Sequence, residues 1–224
     1  MSRRRALRIA TMAAQAIGER ADPLWDRIAA ALYIPFAPGG AHHLAFDPSI
    51  APNNEDFGGG PLALLFLPSL DLQMSAQLRR NDYEYGIRRN VAERIGAVPM
   101  GIAPQAIAAA MIGSETDAAA WFATNFTGGS LKPPFNVRTE TAGNNAGYFI
   151  TGSGGYLQSL LYGFSGLRIR EAGLIEAYPP VLPARWKSLT LHNLRFRGER
   201  MDIRIERDAS GVVRLSRTPH RAPP

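Results

Sequence analysis

The sequence predicts a mainly α-helical protein, in which about half of an α/α toroid is followed by a small antiparallel β-domain. Up to Phe164, apolar residues recur at helical spacing, and the helical segments follow one another in pairs separated by polar loops. After Gly166, apolar and polar residues alternate as they do in half-buried strands. We count about six helices, roughly half of those in a closed toroid of six helix hairpins.

Composition agrees with an ordinary globular protein of one or two domains. The chain has 224 residues, of which 46% are apolar and 20% charged, and it is long enough to bury a core. The net charge is +6, but the basic residues are scattered along the chain rather than clustered, which argues against a nucleic-acid partner. The absence of cysteine excludes disulfides, thiol chemistry and cysteine-based metal sites.

The first helix starts near the N-terminus, where an arginine cluster precedes an alanine-rich run. This order is also typical of a signal peptide, but Arg8 and Gln15 interrupt the run. A core-facing helix that ends near Gly18 is favoured, which slightly favours the cytoplasm, and no apolar run is long enough to suggest a membrane partner. Four residues share the expected core face: Leu7, Ala10, Ala14 and Ile17.

The second helix is predicted to begin at Asp22-Pro23, because Asp is a good N-cap and Pro suits the first helical position. Its apolar face comprises Trp25, Ile28, Ala29 and Leu32. A long polar loop follows over 35–61, and loops of this length inside a domain are usually functional or disordered.

Further helices follow this loop. An apolar run over 62–67 predicts the start of a buried helix, and Ser75 caps another that runs through Tyr85. Segments 103–112 and 117–126 form a helical pair joined at Gly113-Ser114. On the helix capped by Ser75, Leu78 and Tyr85 are expected on one side, with Asp82 as a further candidate for it.

Three strands are predicted in the C-terminal part. Their alternating apolar residues lie over 189–196, 201–205 and 213–215, with turns at Gly198 and 208–211. We therefore expect a helical domain over 1–165, a β-domain over 166–216 and a disordered tail over 217–224.

The segment 133–164 carries the candidate functional residues. It contains Glu140 among Thr, Gly and Asn residues, the amide pair Asn144 and Asn145, and a turn over 151–155 that leads into a helix from Gly155. An irregular polar loop that ends at a helix N-terminus often lies at the mouth of a pocket. The alternative is a solvated loop whose carboxylate points into water.

Three strings of this chain resemble glycoside hydrolase family 65. PFNVRTE, the Asn pair and FITGSGGYLQSLLYGFSGLR resemble the end of the family's catalytic domain, and VLPARWKSLTLHNLRFRGERMDIRI resembles the small β-domain that follows it. The family contains hydrolases of α-linked glucosides, including acid trehalases and kojibiose hydrolases, and disaccharide phosphorylases. The resemblance implies that 1–165 is the C-terminal half of an (α/α)6 catalytic domain with the general base at Glu140.

The implied reaction is inverting hydrolysis of an α-linked disaccharide or glucosyl unit, without cofactor or metal. It needs two carboxyl groups about 6.5–9.5 Å apart, one protonating the leaving oxygen and one deprotonating water. Phe135 and Tyr156 could face a sugar ring, although packing is the favoured interpretation. The residues expected to hold the water and the sugar are Asn144, Asn145, Thr151, Gly154, Gly155 and Gln158, with N–H groups after Gly154.

The general acid is missing from the matched region, because the family's acid motif would fall before Met1. We therefore expect either an upstream half of the catalytic domain as a partner or a truncated copy. Half a toroid should leave apolar helix faces uncovered. Gly58-Gly59 stand where the family has a Lys-Gln pair that contacts glucose, and 53–56 could offer substitute polar groups.

Hydrolysis is favoured over phosphorolysis, because the phosphorylases bind phosphate through a His-Ser-Thr-Leu-Ser string where this chain reads VPMGIAPQAI. Phosphorylases also lack the base that matches Glu140. The alternative from another class is a non-catalytic carbohydrate-binding protein or degenerate remnant.

Two other signals are weak. The TGSGG string lacks the Lys-Ser/Thr of a phosphate-binding loop. His42, His43 and Asp47 could hold a metal, but adjacent histidines point apart on regular structure, so a plain loop is favoured.

Overall fold

A computed structural model describes residues 2–44, 47, 49, 74–93, 99–127, 131–132, 136–139 and 150–220. Six α-helices lie in these ranges: α1 (Ser2–Ala16), α2 (Pro23–Ala31), α3 (Ala76–Glu93), α4 (Pro99–Met111), α5 (Glu115–Thr127) and α6 (Ile150–Gln158). The last turns of α6 widen into a π-helical segment, Ser159–Phe164. None of these described helices is both long and apolar enough to cross a membrane.

The strands form three separate antiparallel sheets. A short ribbon pairs β1 (Leu131–Lys132) with β2 (Val137–Arg138), and a hairpin pairs β3 (Leu167–Arg170) with β4 (Gly173–Glu176). The third sheet has the order β5 (Ser188–Phe196), β6 (Glu199–Arg207), β7 (Val213–Pro219). Helices followed by antiparallel strands agree with the predicted class, and the predicted strands at 189–215 are confirmed.

Helices α1 and α2 pack against each other as an antiparallel pair. The Asp22 side chain accepts a hydrogen bond from the Leu24 N–H at 2.8 Å, which confirms the predicted N-cap of α2. The pair buries little of its apolar surface: Ala29 is buried, but Ile28 is 41% exposed and Ile17, beyond the end of α1, is 75% exposed. The predicted core faces of these two helices are therefore only partly covered by the described residues.

Helix α3 begins after Ser75, whose Oγ accepts from the Leu78 N–H at 3.1 Å as predicted. Among the α3 residues whose burial is described, 76–87, the side chains of Asp82 and Tyr83 are buried, whereas Leu78 and Tyr85 are half-buried. The buried side of α3 therefore includes a carboxylate, Asp82, where the sequence predicted mainly Leu78 and Tyr85. Asp82 can be buried because it is hydrogen-bonded to His43.

The main core lies around α4, which is buried from Ile102 to Met111. Helix α5 packs along α4 after the predicted turn at Gly113-Ser114, where Gly113 has a φ of 79°. On another side, α6 approaches α4 so closely that a Cβ at Gly155 would lie 2.9 Å from the Ala103 Cβ. Small residues on α6 thus permit contact between the two helices.

The turn predicted over 151–155 is wrong, because this segment is helical from Ile150 onwards. Glycine disfavours a helix interior by about 1 kcal/mol relative to alanine. Here Gly152 and Gly155 are buried, and the close approach of α6 to α4 offsets that cost. The predicted helix start therefore lies about one turn too late.

The third sheet packs its apolar face on the helices. Ile205 of β6 belongs to the same core as Ile107, Phe122 and Phe164, with Leu189 and Val213 beside them. β7 pairs with β6 as far as Pro219, opposite Met201, so the predicted disorder is wrong for 217–219. The pairing extends further than predicted because β6 continues beside it.

The β3–β4 hairpin was not predicted as a separate element. It begins after Gly166, where φ is 69° and a Cβ would lie 2.0 Å from the Tyr178 carbonyl oxygen, so only glycine fits. The predicted helix start over 62–67 and the candidate positions at 53–59 lie outside the described residues.

Candidate functional site

The predicted site residues divide into two groups. Glu140, Asn144, Asn145 and Phe135 lie outside the described residues. Thr151, Gly154, Gly155 and Gln158 all lie on α6.

Strand β2 carries the chain towards Glu140. Its ladder pairs Leu131 with Arg138, and Asn136 makes the turn before it with a φ of 51°. Thr139, which directly follows β2, is 4% exposed and therefore enters the interior. β2 is also in contact with α6. The residue before position 140 is therefore buried, and the strand before it, β2, contacts α6, which carries the other described candidates.

The four candidates on α6 have different surroundings. Thr151 is exposed, Gly154 and Gln158 are half-buried, and Gly155 is buried against Ala103 of α4. In the helix Ile150–Gln158, N–H groups after Gly154 bond to carbonyl groups four residues earlier. The expectation that N–H groups after Gly154 are free is wrong, since those groups lie inside the helix.

Tyr156 lies in the core. Its ring stacks on Phe122 of α5 with centroids 4.8 Å apart and an interplanar angle of 20°. Phe122 in turn contacts Phe164 edge-on at 5.1 Å. These contacts favour packing over the alternative of a sugar-facing ring for Tyr156.

The structure reveals a buried pair that the sequence analysis did not find. His43 Nδ1 lies 2.7 Å from Asp82 Oδ2, and the His43 backbone N–H donates to Asp82 Oδ1 at 2.8 Å. The two side chains are 2% and 0% exposed. A carboxylate bound to Nδ1 fixes the orientation of the imidazole and places Nε2 opposite. No local sequence signal could reveal the pair, because the partners lie 39 positions apart.

This pair holds the first part of the predicted loop, residues 35–44, on α3. The Asn81 side-chain amide donates to the Ala41 carbonyl at 2.7 Å, next to the Asp82 contacts. Within the segment, the Leu44 N–H donates to the Pro35 carbonyl at 2.9 Å and closes a small antiparallel turn. The first ten residues of the predicted loop are therefore held on α3 by hydrogen bonds.

The histidines at 42 and 43 point to different neighbours. His42 stacks on Tyr85 with centroids 4.0 Å apart, whereas His43 faces Asp82. Asp47 accepts two hydrogen bonds from Ser49, which lower the pKa of the Asp47 carboxyl. Among the described residues, no group of three or more His, Asp or Glu side chains is arranged to hold a metal ion.

A second polar network links α3 to α5. The Tyr83 hydroxyl donates to Asp117 Oδ2 at 3.2 Å and accepts from Trp121 Nε1 at 3.3 Å. Burial raises the pKa of Tyr83, so the phenol keeps its proton and acts as a donor. This arrangement joins two helices and has the geometry of a structural contact.

The class of protein is defined by comparison with known families. Residues 177–219 match the family model for the glycosyl hydrolase family 65 C-terminal domain. The match covers the last part of the chain, from the segment before β5 to the end of β7.

Two curated relatives extend the likeness towards the N-terminus. A protein-glucosylgalactosylhydroxylysine glucosidase from Danio rerio is 31% identical over 203 residues, covering 90% of this chain and 29% of the relative. A kojibiose hydrolase from Mucilaginibacter mallensis is 30% identical over 190 residues, covering 83% of this chain and 26% of the relative. The resemblance to glycoside hydrolase family 65 is thereby confirmed.

A solved structure shares the fold. A protein from the human microbiome assigned as a kojibiose phosphorylase superposes with a TM-score of 0.64 at 14% identity, covering 99% of this chain and 39% of that one. At this identity the likeness shows the fold alone. The chain thus spans less than a third of the two curated relatives and about two fifths of this structure.

Proposed function

We propose that this chain forms the base-bearing part of an inverting hydrolase of α-linked glucosides, with Glu140 as the general base. The observation that supports the proposal is the contact of β2 with α6, because β2 leads through buried Thr139 to position 140. The relatives named as glucosidase and kojibiose hydrolase support hydrolysis as the reaction.

In this mechanism the Glu140 carboxylate accepts a proton from water. The water oxygen attacks the anomeric carbon from the face opposite the leaving group and inverts its configuration. A second carboxyl group protonates the glycosidic oxygen as its bond to the anomeric carbon breaks. In this proposal that acid comes from polypeptide outside the present sequence.

Other candidate residues hold the sugar. Exposed Thr151 and half-buried Gln158 on α6 offer a hydroxyl and an amide, and Asn144 and Asn145 add two more amides. Amides and hydroxyls both donate and accept, which suits neutral sugar hydroxyls. Gly155 contributes by bringing α6 close to α4 rather than by touching the sugar.

The helical part is proposed to be half of an (α/α)6 toroid that a further segment completes. Apolar side chains that are exposed on both α1 and α2 support this, because a further segment could bury them. The relatives also contain more than twice the length matched here. The largest such side chains on these two helices are Ile9, Met12, Leu24 and Ile28, each at least 41% exposed.

The test measures glucose release from kojibiose and trehalose, with this chain alone and with the unmatched part of the Mucilaginibacter relative co-expressed. We expect activity in the second case, lost at least about a thousandfold in Glu140→Gln and kept in the control Glu176→Gln. Phosphate-dependent release of glucose 1-phosphate would instead establish a phosphorylase.

A second candidate is a carbohydrate-binding protein without catalysis, because the described candidates Thr151 and Gln158 carry a hydroxyl and an amide that bind sugar hydroxyls without acid or base chemistry. Calorimetry that shows sugar binding without turnover, equal in wild type and Glu140→Gln, would support this candidate.

A further inference from the structure

We propose a second carbohydrate-binding site in a cleft between α5 and the segment 183–186, with Trp186 as its aromatic wall. The cleft has a volume of about 370 Å³, within the size range of small-molecule sites. Its ligand is a neutral glycosyl unit. The choice of a sugar as ligand rests on the proposed function, whereas the cleft itself is a feature of the fold.

The aromatic wall is held rigidly. Trp186 lies edge-on to Phe122 with centroids 5.6 Å apart and an angle of 88°, and its ring centroid is 5.7 Å from that of Phe164. Trp186 stays half-buried, whereas Phe122 and Phe164 are buried. A half-buried indole presents an apolar face and one N–H donor, which matches the amphipathic surface of a sugar ring.

The polar rim is also held in place. Arg207 at the end of β6 donates to Glu115 Oε2 at 2.9 Å and to the Leu182 carbonyl at 3.0 Å. The same guanidinium donates to the Gly211 carbonyl at 2.9 Å. Arg207 therefore joins the α5 side of the cleft to the segment before 183–186, and the Glu115 carboxylate has lone pairs that can accept from a hydroxyl.

The groups around the cleft match a neutral polyhydroxy ligand. Glu115 accepts, the exposed Arg185 donates, and the exposed Thr116 hydroxyl does both. Glu115 is paired with Arg207, and Arg185 adds one separate positive charge, so the rim offers donors and acceptors rather than a cluster of like charges. Apolar walls with a few convergent polar groups are typical of small-molecule sites.

The Phe122 ring lies between this cleft and α6. Phe122 stacks on Tyr156 of α6 and meets Trp186 edge-on. The predicted catalytic residue is not among the residues of the cleft. Binding in the cleft should therefore survive changes at Glu140, which separates the two proposals experimentally.

The test follows the three indole N–H signals of ¹⁵N-labelled chain, from Trp25, Trp121 and Trp186, while kojibiose or glucose is added. We expect the Trp186 signal to shift alone, with a Kd of about 1–10 mM for a ligand of few contacts. Arg185→Ala should weaken binding about tenfold. The exposed Arg195→Ala is the matched control and should bind as wild type does.

Trp186→Phe keeps the ring that packs on Phe122 and Phe164 and removes the indole N–H, so it should weaken binding without unfolding the chain. Equal sugar binding in wild type, Arg185→Ala and Trp186→Phe would overturn the proposal. So would sugar binding that leaves the Trp186 signal unchanged and disappears in Glu140→Gln, although that result supports the proposed function. A Trp186 shift caused by an unglycosylated hydroxylysine peptide but not by kojibiose would also overturn the proposal, because the ligand would then be a peptide.

Discussion

At the scale of single residues, Gly155 shows how closely α6 approaches α4. A Cβ at Gly155 would lie 2.9 Å from the Ala103 Cβ, whereas a Cβ at Gly154 would meet nothing within 4 Å. Both glycines lie in the same helix, so their helical propensities are the same. The two positions therefore separate packing from propensity.

We predict opposite effects for the two alanine variants. Gly155→Ala should lower the free energy of unfolding by about 1–3 kcal/mol through overpacking. Gly154→Ala should raise it by about 0.5–1 kcal/mol, because alanine favours the helix. Urea denaturation of both variants provides the measurement. A stabilised Gly155→Ala would show that α6 does not contact α4 as described.

Asp202 is a second residue with a defined contribution. Its carboxylate accepts from the Asn193 N–H at 2.8 Å, His192 Nδ1 at 2.9 Å and His220 Nε2 at 2.8 Å. The Asn193 N–H contributes most, and together these contacts lower the pKa of Asp202 to about 2. The carboxylate thus joins β5, β6 and the residue after β7.

The lowered pKa predicts a pH-dependent stability. The stabilisation is fully present above the unfolded-state value of about 3.9 and is lost as the pH falls through about 2. Asp202→Asn should therefore lower Tm at pH 6, and its difference from wild type should shrink between pH 4 and pH 2. Thermal unfolding measured across this range provides the test, with exposed Glu199→Gln as control. A constant difference down to pH 2 would contradict the prediction.

At the scale of elements, α3 anchors the segment 35–44 through Asp82. The carboxylate accepts from both the ring and the backbone N–H of His43, and both side chains are buried. Neighbouring Asn81 adds a bond to the Ala41 carbonyl at a more exposed position. The anchoring depends mainly on the buried contact, because its groups have no water to replace the lost partner.

We predict that Asp82→Ala lowers the free energy of unfolding by about 3–5 kcal/mol, since it leaves a buried imidazole without its partner. Asp82→Asn keeps an acceptor for the His43 N–H and should cost about 1–3 kcal/mol. Asn81→Ala should cost less than either. Chemical denaturation and amide exchange of 35–44 measure these effects. Unchanged exchange in Asp82→Ala would contradict the anchoring role.

At the scale of the whole molecule, the helices and the third sheet share one core. Ile205 of β6 lies with Ile107, Phe122 and Phe164 in a continuous apolar cluster. Arg207 of the same strand adds an ion pair to Glu115 of α5 at 2.9 Å. The predicted domain boundary at 165 and 166 thus falls within a packed region of the molecule.

This shared core predicts that α4, α5 and the sheet unfold together. Ile205→Ala should lower stability by about 2–5 kcal/mol by leaving a cavity. The midpoint of unfolding should fall by the same amount whether it is measured by circular dichroism of the helices or by tryptophan fluorescence. Ile175→Ala, at a position 36% exposed on β4, is the control with a smaller effect. Two separated transitions in the variant would contradict the shared core.

The sequence by itself determined most of the elements, because their signals are local. Asp22 caps α2 through its own neighbours, Gly113 ends the α4–α5 turn, and alternation marks β5, β6 and β7. The quoted strings also revealed the family. Glu140 as the base stays a prediction that rests on the resemblance.

Only the tertiary structure decided three features: that 150–155 is helical, which residue is the hydrogen-bond partner of Asp82, and against which helices β6 packs. Each depends on partners distant in sequence: Ala103 for Gly155, His43 for Asp82, and the helical core for Ile205. Glycines at 152 and 155 indicate a turn when only local propensity is considered. Burial against α4 supplies the packing energy that makes the helix favourable, and no local pattern contains that energy.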